Sequence, residues 1–107
     1  MSALRVIANY EALSSLTDRM REAAQRSEWE TLINVEQQRG ALVAAMKPLD
    51  AETLLDDSAR QRKNALITTV LAQDAEIRTL VQAWMNECEL SMQSNAQELR
   101  LLRKYGA

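Results

Sequence analysis

Three segments of the chain repeat hydrophobic residues at the three- and four-residue spacing of an amphipathic helix. The first predicted helix covers residues 3–26, the second covers 28–46, and the third begins within 56–58 and ends within 91–95. The hydrophobic stripes comprise Val6, Tyr10, Leu13, Leu16, Met20 and Ala24 in the first helix, Trp29, Leu32, Ile33 and Val43 in the second, and Leu66, Val70, Ile77, Val81, Trp84 and Cys88 in the third. Facing stripes of this kind predict an all-α fold, an antiparallel bundle of three to four helices forming one domain over residues 1–107.

The ends of the second helix are predicted from its capping residues and from the one proline of the chain. Ser27 and Glu30 match the capping-box pattern, so Ser27 is the predicted N-cap. Pro48 predicts that this helix ends near residue 46 and that a turn follows at 47–50, because the residue before a proline is displaced from the helical region.

Weaker capping signals divide the second half of the chain. It contains no glycine or proline from residue 49 to residue 105, yet one helix over that span would reach about 80 Å, too long for a domain of this size to bury. Asp56, Asp57 and Ser58 are the candidate caps of a long third helix, with Ser58 and Gln61 as a capping pair, and Ser94 with Gln97 predicts a short C-terminal helix.

Two acidic residues interrupt the hydrophobic stripes. Glu36 lies within the stripe of the second helix, and Asp74 lies within that of the third. Arg39 follows Glu36 by three residues, which predicts an ion pair along one helix face. Trp29 and Trp84 are predicted core anchors; the alternative is an indole that partly faces a partner, since tryptophan is enriched at protein interfaces.

Composition narrows the class of protein. The chain has 13 basic and 15 acidic residues, a net charge of -2 and a pI of about 5.2, so a direct nucleic-acid ligand is not expected. No hydrophobic run approaches the roughly 18 residues of a membrane span, and the N terminus does not resemble a signal peptide. Cys88, the only cysteine, cannot form an internal disulfide and is predicted to be a core residue of a cytoplasmic protein.

The residue types needed for most active sites are missing from this sequence. It contains no histidine, one cysteine and two glycines, so neither a metal centre, nor an activated thiol, nor a glycine-rich phosphate loop is expected. A carboxylate pair of Glu36 and Asp74 is the one acid-base alternative, and it is disfavoured because no polar pocket is expected around them. The prediction is a protein that is not an enzyme and holds no cofactor or metal.

Five residues of the first two helices carry a resemblance to a known family. Ala24, Trp29, Leu32, Glu36 and Arg39 resemble the A-x(4)-W-x-x-L-x(3)-E-x-x-R signature of the flagellar export chaperone FliT family. The segment ITTVLAQDAEIRTLVQAW, which contains Asp74, is similar to the third helix of that family, and the C-terminal Tyr-Gly is similar to its ending. The resemblance extends over about residues 3–106.

The resemblance implies a cytoplasmic helical chaperone of type III flagellar export. Such a protein binds the filament-cap protein FliD, prevents its early assembly and delivers it to components of the export apparatus. Some family members also bind the FlhC subunit of the flagellar master regulator, and some self-associate. Two alternatives remain at this stage: a structural or assembly component of a flagellar or secretion system, and a purely regulatory anti-activator.

The sequence also indicates which residues carry structure and which contact a partner. The family signature assigns a structural role to Trp29, Leu32, Glu36, Arg39 and Asp74. The resemblance further implies that the last helix lies across the client groove, and we predict that segment 94–105 is a replaceable element of the bundle. The predicted partner contacts lie near the end of the third helix and beyond it: Trp84, Met85, Met92, Leu99, Leu102 and Tyr105.

Overall fold

The described part of the chain is entirely helical, apart from short turns. The computed structural model describes residues 2–91 and 103–104, in which α1 spans Ser2–Gln25, α2 spans Trp29–Glu52 and α3 spans Asp57–Ser91. Residues 103–104 are also helical. The predicted all-α fold and the bounds of the first helix are confirmed, whereas the predicted short C-terminal helix lies, except for residues 103–104, outside the described ranges.

The three helices run up, down and up along the bundle. Tyr10, early in α1, bonds to Asp50, late in α2, and Trp29, at the start of α2, stacks on Trp84, late in α3. The molecule measures 52 × 22 × 20 Å. The 35 residues of α3, at about 1.5 Å per residue, account for its full length.

The first helix is the centre of the arrangement. α1 packs against both α2 and α3, whereas the Cα atoms of α2 and α3 nowhere come within 8 Å of each other. Two helices that flank a third without touching along their backbones leave a groove between them. The floor of this groove is α1, and its walls are α2 and α3.

The hydrophobic core is concentrated near the α1–α2 turn. Met20, Leu32 and Ile77, one from each helix, are completely buried there. The other buried members of this cluster are Ala23, Ala24, Ile33, Val35, Val81 and Met85. Cys88, predicted to be a core residue, is only half-buried.

The predicted capping box at Ser27 is wrong. Ser27 adopts a left-handed backbone conformation with φ of 58°, its N–H bonds to the carbonyl of Ala24 at 3.2 Å, and the N–H of Glu28 bonds to the carbonyl of Ala23 at 2.8 Å. These two bonds form the Schellman motif that closes the C terminus of α1. Ser27 therefore ends α1, and Glu28 is the N-cap of α2 without a side-chain capping bond.

The predicted end of the second helix at Pro48 is also wrong, because α2 continues to Glu52 with Pro48 inside it. Proline removes one helical hydrogen bond and is unfavourable at such a position. Two features offset this cost: Met46 is buried, with 4% exposed, and the hydroxyl of Tyr10 on α1 donates to Asp50 Oδ2 at 2.5 Å. Tertiary packing on both sides of Pro48 thus keeps the segment helical.

The third helix begins in the predicted place, capped by the first of the three candidate residues. The N–H of Ala59 bonds to Asp56 Oδ1 at 2.8 Å, so Asp56 is the capping residue. The proposed pair of Ser58 and Gln61 is wrong for this reason. The carboxylate of Asp56 also lies where the positive end of the helix dipole favours a negative charge.

The Tyr10–Asp50 contact makes the stability of the fold depend on pH in the alkaline range. Burial, the hydrogen bond to Asp50 and the charge of that carboxylate raise the pKa of Tyr10 to about 12 from 10. In the unfolded chain the phenol loses its proton first, so the stability that Tyr10 contributes is complete below pH 10 and is lost between pH 10 and 12. We expect urea unfolding to show this loss in the unchanged protein and a smaller one in Tyr10→Phe.

At pH 8 the same substitution should lower the free energy of unfolding by about 1–2 kcal/mol, because it removes the hydrogen bond to a part-buried carboxylate. The other oxygen of Asp50, Oδ1, is already buried without a hydrogen-bond partner among the described residues. Comparing the two proteins removes the pH-dependent changes in stability that they share. Equal pH profiles for the two proteins would contradict the assignment.

Candidate functional site

A cleft lies midway along the groove between α2 and α3. Its volume is about 330 Å³. Leu13 of α1 lies at its floor, and the side chains of the two walls mix hydrophobic and charged groups. The described residues around it are Leu13, Glu36, Arg39, Gly40, Val43, Val70, Asp74 and Lys104.

Arg39 connects all three helices at this cleft. Its Nη1 donates to Asp74 Oδ1 of α3 at 2.7 Å and to the Thr17 hydroxyl oxygen of α1 at 3.2 Å. The Thr17 hydroxyl in turn donates to the carbonyl of Leu13 at 2.8 Å. Thr17 is fully buried, and the side chains of Arg39 and Asp74 are 14% and 31% exposed. We call Thr17, Arg39 and Asp74 the polar clasp.

The clasp changes the interpretation of the charges that the sequence placed on the stripes. Glu36, Arg39 and Asp74 do come together, as members of one cleft. The ion pair that Arg39 forms with Asp74 joins two helices, and the pairing of Glu36 with Arg39 remains a prediction. The expectation that no polar pocket surrounds Glu36 and Asp74 is wrong, because antiparallel packing brings both carboxylates to the cleft.

A second ion pair lies across the mouth of the cleft. Lys104 Nζ is 3.3 Å from Glu36 Oε1. The Glu36 side chain is 16% exposed, and that of Lys104 is 51% exposed. Lys104, thirteen residues after the last described residue of α3, therefore lies at the cleft in the groove. With basic side chains facing both carboxylates and hydrophobic walls beside them, the arrangement suits recognition of another polypeptide.

A stacked tryptophan pair lies at the end of the bundle near the α1–α2 turn. The ring centres of Trp29 and Trp84 are 4.5 Å apart, with an angle of 27° between the planes, and both side chains are half-buried. They border a second cleft of about 170 Å³ together with Ala24, Gln25, Ser27, Leu80, Ala83 and Glu87. The tryptophan pair thus packs against the core and is also partly exposed at the surface.

The predicted partner contacts fall into three groups. Trp84 reaches the surface of the bundle, whereas its neighbour Met85 is 3% exposed and packs in the core cluster. Met85 is therefore not accessible to a partner in this structure, because α3 directs it toward the other helices. Four further predicted contacts lie outside the described residues: Met92, Leu99, Leu102 and Tyr105.

Sequence reasoning missed Thr17 and Lys104. Thr17 lies on the hydrophobic stripe of α1, four residues after Leu13 and three before Met20, so its position in the repeat was a usable signal. The prediction favoured its neighbour Leu16, which is only partly buried. No local pattern indicates where Lys104 lies, because its neighbour Glu36 is distant from it in the sequence.

Other kinds of site are scarce on the described surface. Within residues 2–91 and 103–104, no group of three or more cysteine, aspartate or glutamate side chains is arranged to hold a metal ion. No described helix combines the length and the hydrophobicity that crossing a membrane requires. The large hydrophobic side chains that are most exposed lie on different elements: Leu4 on α1, Leu71 on α3, and Leu54 in the turn between α2 and α3.

Comparison with known proteins extends over almost the whole chain. The model of the family described as "Flagellar protein FliT" matches residues 7–107, which include the polar clasp and the tryptophan pair. The chain is 32% identical over 99 residues to the flagellar protein FliT of Cronobacter sakazakii (strain ATCC BAA-894). That alignment covers 92% of this chain and 81% of the relative. No solved structure matches the chain.

Proposed function

Because the chain belongs to the FliT family of flagellar proteins, we propose that it is a cytoplasmic export chaperone for the filament-cap protein FliD. In this role it binds the cap protein before secretion, prevents its early assembly and delivers it to the flagellar export apparatus. The observation that carries the proposal is the groove between α2 and α3, with a mixed hydrophobic and charged cleft at its centre.

The geometry of the groove supports binding of a client helix. An amphipathic helix docks on such a surface through hydrophobic side chains spaced three and four residues apart. Leu13, Val43 and Val70 supply one hydrophobic contact from each helix of the bundle. A client helix that lies along the groove would contact α2 and α3 at once. It would also bury surface of α2 and α3 that these two helices do not bury against each other.

Further partners belong to the same proposal. The resemblance to the family extends it to the FlhC subunit of the flagellar master regulator and to self-association. Trp84 is a proposed contact because a half-buried tryptophan beside a cleft can anchor a partner at low entropic cost. Met92, Leu99, Leu102 and Tyr105 remain proposed contacts on the strength of the sequence pattern.

Gly40 provides a test of the groove that separates binding from stability. A Cβ atom at this position would meet nothing within 4 Å, and the residue borders the cleft. Gly40→Leu should fill the cleft and weaken FliD binding about tenfold or more, while stability stays equal or rises because glycine is unfavourable inside a helix. Calorimetric titration with FliD from the same bacterium, beside thermal unfolding of the variant, measures both quantities.

Ala45→Leu is the matched control, since it adds similar bulk to an exposed position of α2 outside the cleft. We expect it to bind FliD as the unchanged protein does. If Gly40→Leu bound FliD as tightly as the unchanged protein does, the groove would not be the binding site. Absence of any complex with FliD would overturn the chaperone role, and a complex with FlhC alone would favour a regulatory anti-activator.

A further inference from the structure

The inference rests on the proposed function and concerns the chemistry of the client. We propose that Glu36 selects a client helix that carries a lysine or arginine between hydrophobic residues. The basic side chain of the client takes the place that Lys104 occupies beside Glu36 in this structure. The groove thereby recognises a positive charge on the client helix as well as its hydrophobic stripe.

The two carboxylates of the cleft differ in how their charges are balanced. Asp74 is held by Arg39, a residue of the three-helix core, at 2.7 Å with 14% of the arginine side chain exposed. Glu36 is paired with Lys104, which comes from beyond α3 and is 51% exposed. The charge of Asp74 is therefore paired within the three helices, whereas Lys104, a cation beside Glu36, comes from outside them.

The Glu36–Lys104 pair is suited to exchange. Lys104 is 51% exposed, so water already solvates much of its charge, whereas Glu36 is only 16% exposed and needs a cation beside it. A second cation at the same carboxylate would thus replace Lys104 at small cost. When a client helix covers the cleft, water is excluded and the new pair becomes stronger than the one that it replaces.

The walls of the cleft define the rest of the client surface. Val43 on α2, Val70 on α3 and Leu13 on α1 line the same cleft as Lys104. A lysine or arginine can lay its hydrophobic stem along such residues while its charged end reaches Glu36. Hydrophobic client residues one helical turn on either side would contact the same walls. An acidic client residue at this position would face Glu36 and be rejected.

A double-mutant cycle in the full chain tests the proposal, with FliD as the probe. Lys104→Ala removes the internal competitor and should raise the affinity about two- to fivefold. Glu36→Gln in the Lys104→Ala background removes the client's charge partner and should lower the affinity about tenfold. In the unchanged background Glu36→Gln should have a smaller effect, because it also frees the cleft from Lys104.

The control is Glu30→Gln, which removes an exposed carboxylate from the same helix away from the cleft and should leave the affinity unchanged. Glu36→Lys should abolish most binding while unfolding remains cooperative. Equal effects of Glu36→Gln in both backgrounds, or tight binding by Glu36→Lys, would overturn the inference and leave the chaperone role standing. Failure of the unchanged protein to bind FliD would overturn both.

Discussion

Replacing Arg39 with alanine is expected to lower the free energy of unfolding by about 2–3 kcal/mol, corresponding to a fall in Tm of about 10 °C or more. The substitution leaves the part-buried carboxylate of Asp74 without its ion pair and removes a donor from the buried Thr17 hydroxyl. The loss should be somewhat below that of a fully buried pair because Asp74 is 31% exposed. Urea unfolding followed by circular dichroism measures it.

Arg60→Ala is the matched control for this prediction. Arg60 also pairs with an aspartate, Asp57, three residues earlier in α3, but both side chains are largely exposed. Removing such a pair should change the free energy of unfolding by no more than about 0.5 kcal/mol. A similar loss in Arg39→Ala and Arg60→Ala would show that the polar clasp adds no more to stability than a surface pair.

The coupling between Arg39 and Asp74 can be measured separately from their individual contributions. If the ion pair carries the effect, the double variant Arg39→Ala with Asp74→Ala should be more stable than the sum of the single losses predicts. Removing both charges leaves no uncompensated carboxylate in the cleft. Strictly additive losses would mean that each side chain stabilises the fold through other contacts.

The sequence predicts the helices well because helical periodicity is a local property. The observed α1 differs from the predicted one by a single residue at each end, and α3 starts within the predicted segment. A stripe of hydrophobic residues at three- and four-residue spacing requires only that one side of a helix be buried. It does not require knowledge of which helix covers it.

The ends of α2 are set by hydrogen bonds and packing that residue type alone does not reveal, and there the sequence was misleading. Ser27 is a favourable N-cap by type, yet the Schellman motif at the end of α1 places it in the left-handed region. Pro48 is a strong helix terminator by type, yet packing of Met46 and the Tyr10–Asp50 bond continue the helix past it. At Ser27 the local hydrogen bonds that close α1, and at Pro48 the tertiary contacts around it, outweigh a preference of about 1–3 kcal/mol for one residue.

The sequence predicted residues that belong to the candidate site, but it did not predict which of them pair with each other. Charges within hydrophobic stripes identified Glu36 and Asp74, because a buried-face carboxylate needs a partner. Which partner each finds depends on the relative register of α2 and α3, and that register follows from the packing of both helices on α1. The alternation of hydrophobic and polar residues along one helix contains no information about this register.

The clasp itself helps to set that register. Moving α3 by one helical turn would displace Asp74 by about 5 Å and leave Arg39 facing the uncharged part of α3. Residues 64–73 contain no charged side chain at all, so no other carboxylate could replace Asp74 after a shift in that direction. Hydrophobic contacts alone tolerate such shifts better than a charge pair does.

Replacing Met85 with alanine is expected to lower the free energy of unfolding by about 3 kcal/mol without a specific effect on client binding. The side chain is 3% exposed within the cluster that joins all three helices, so truncation removes hydrophobic contacts and leaves a cavity. Measured at a temperature where the variant remains folded, its affinity for FliD should equal that of the unchanged protein.

Met85→Leu is the appropriate control, because it conserves most of the volume and should cost less than about 1.5 kcal/mol. Trp84→Ala, one position earlier, should instead lower both the free energy of unfolding and the affinity for the client. The Trp84 ring stacks on Trp29 and also borders the second cleft. A loss of client affinity in Met85→Ala at undiminished stability would show that α3 turns in the complex and exposes this side chain. Such a result would also require the core cluster around Met20, Leu32 and Ile77 to repack when the client binds.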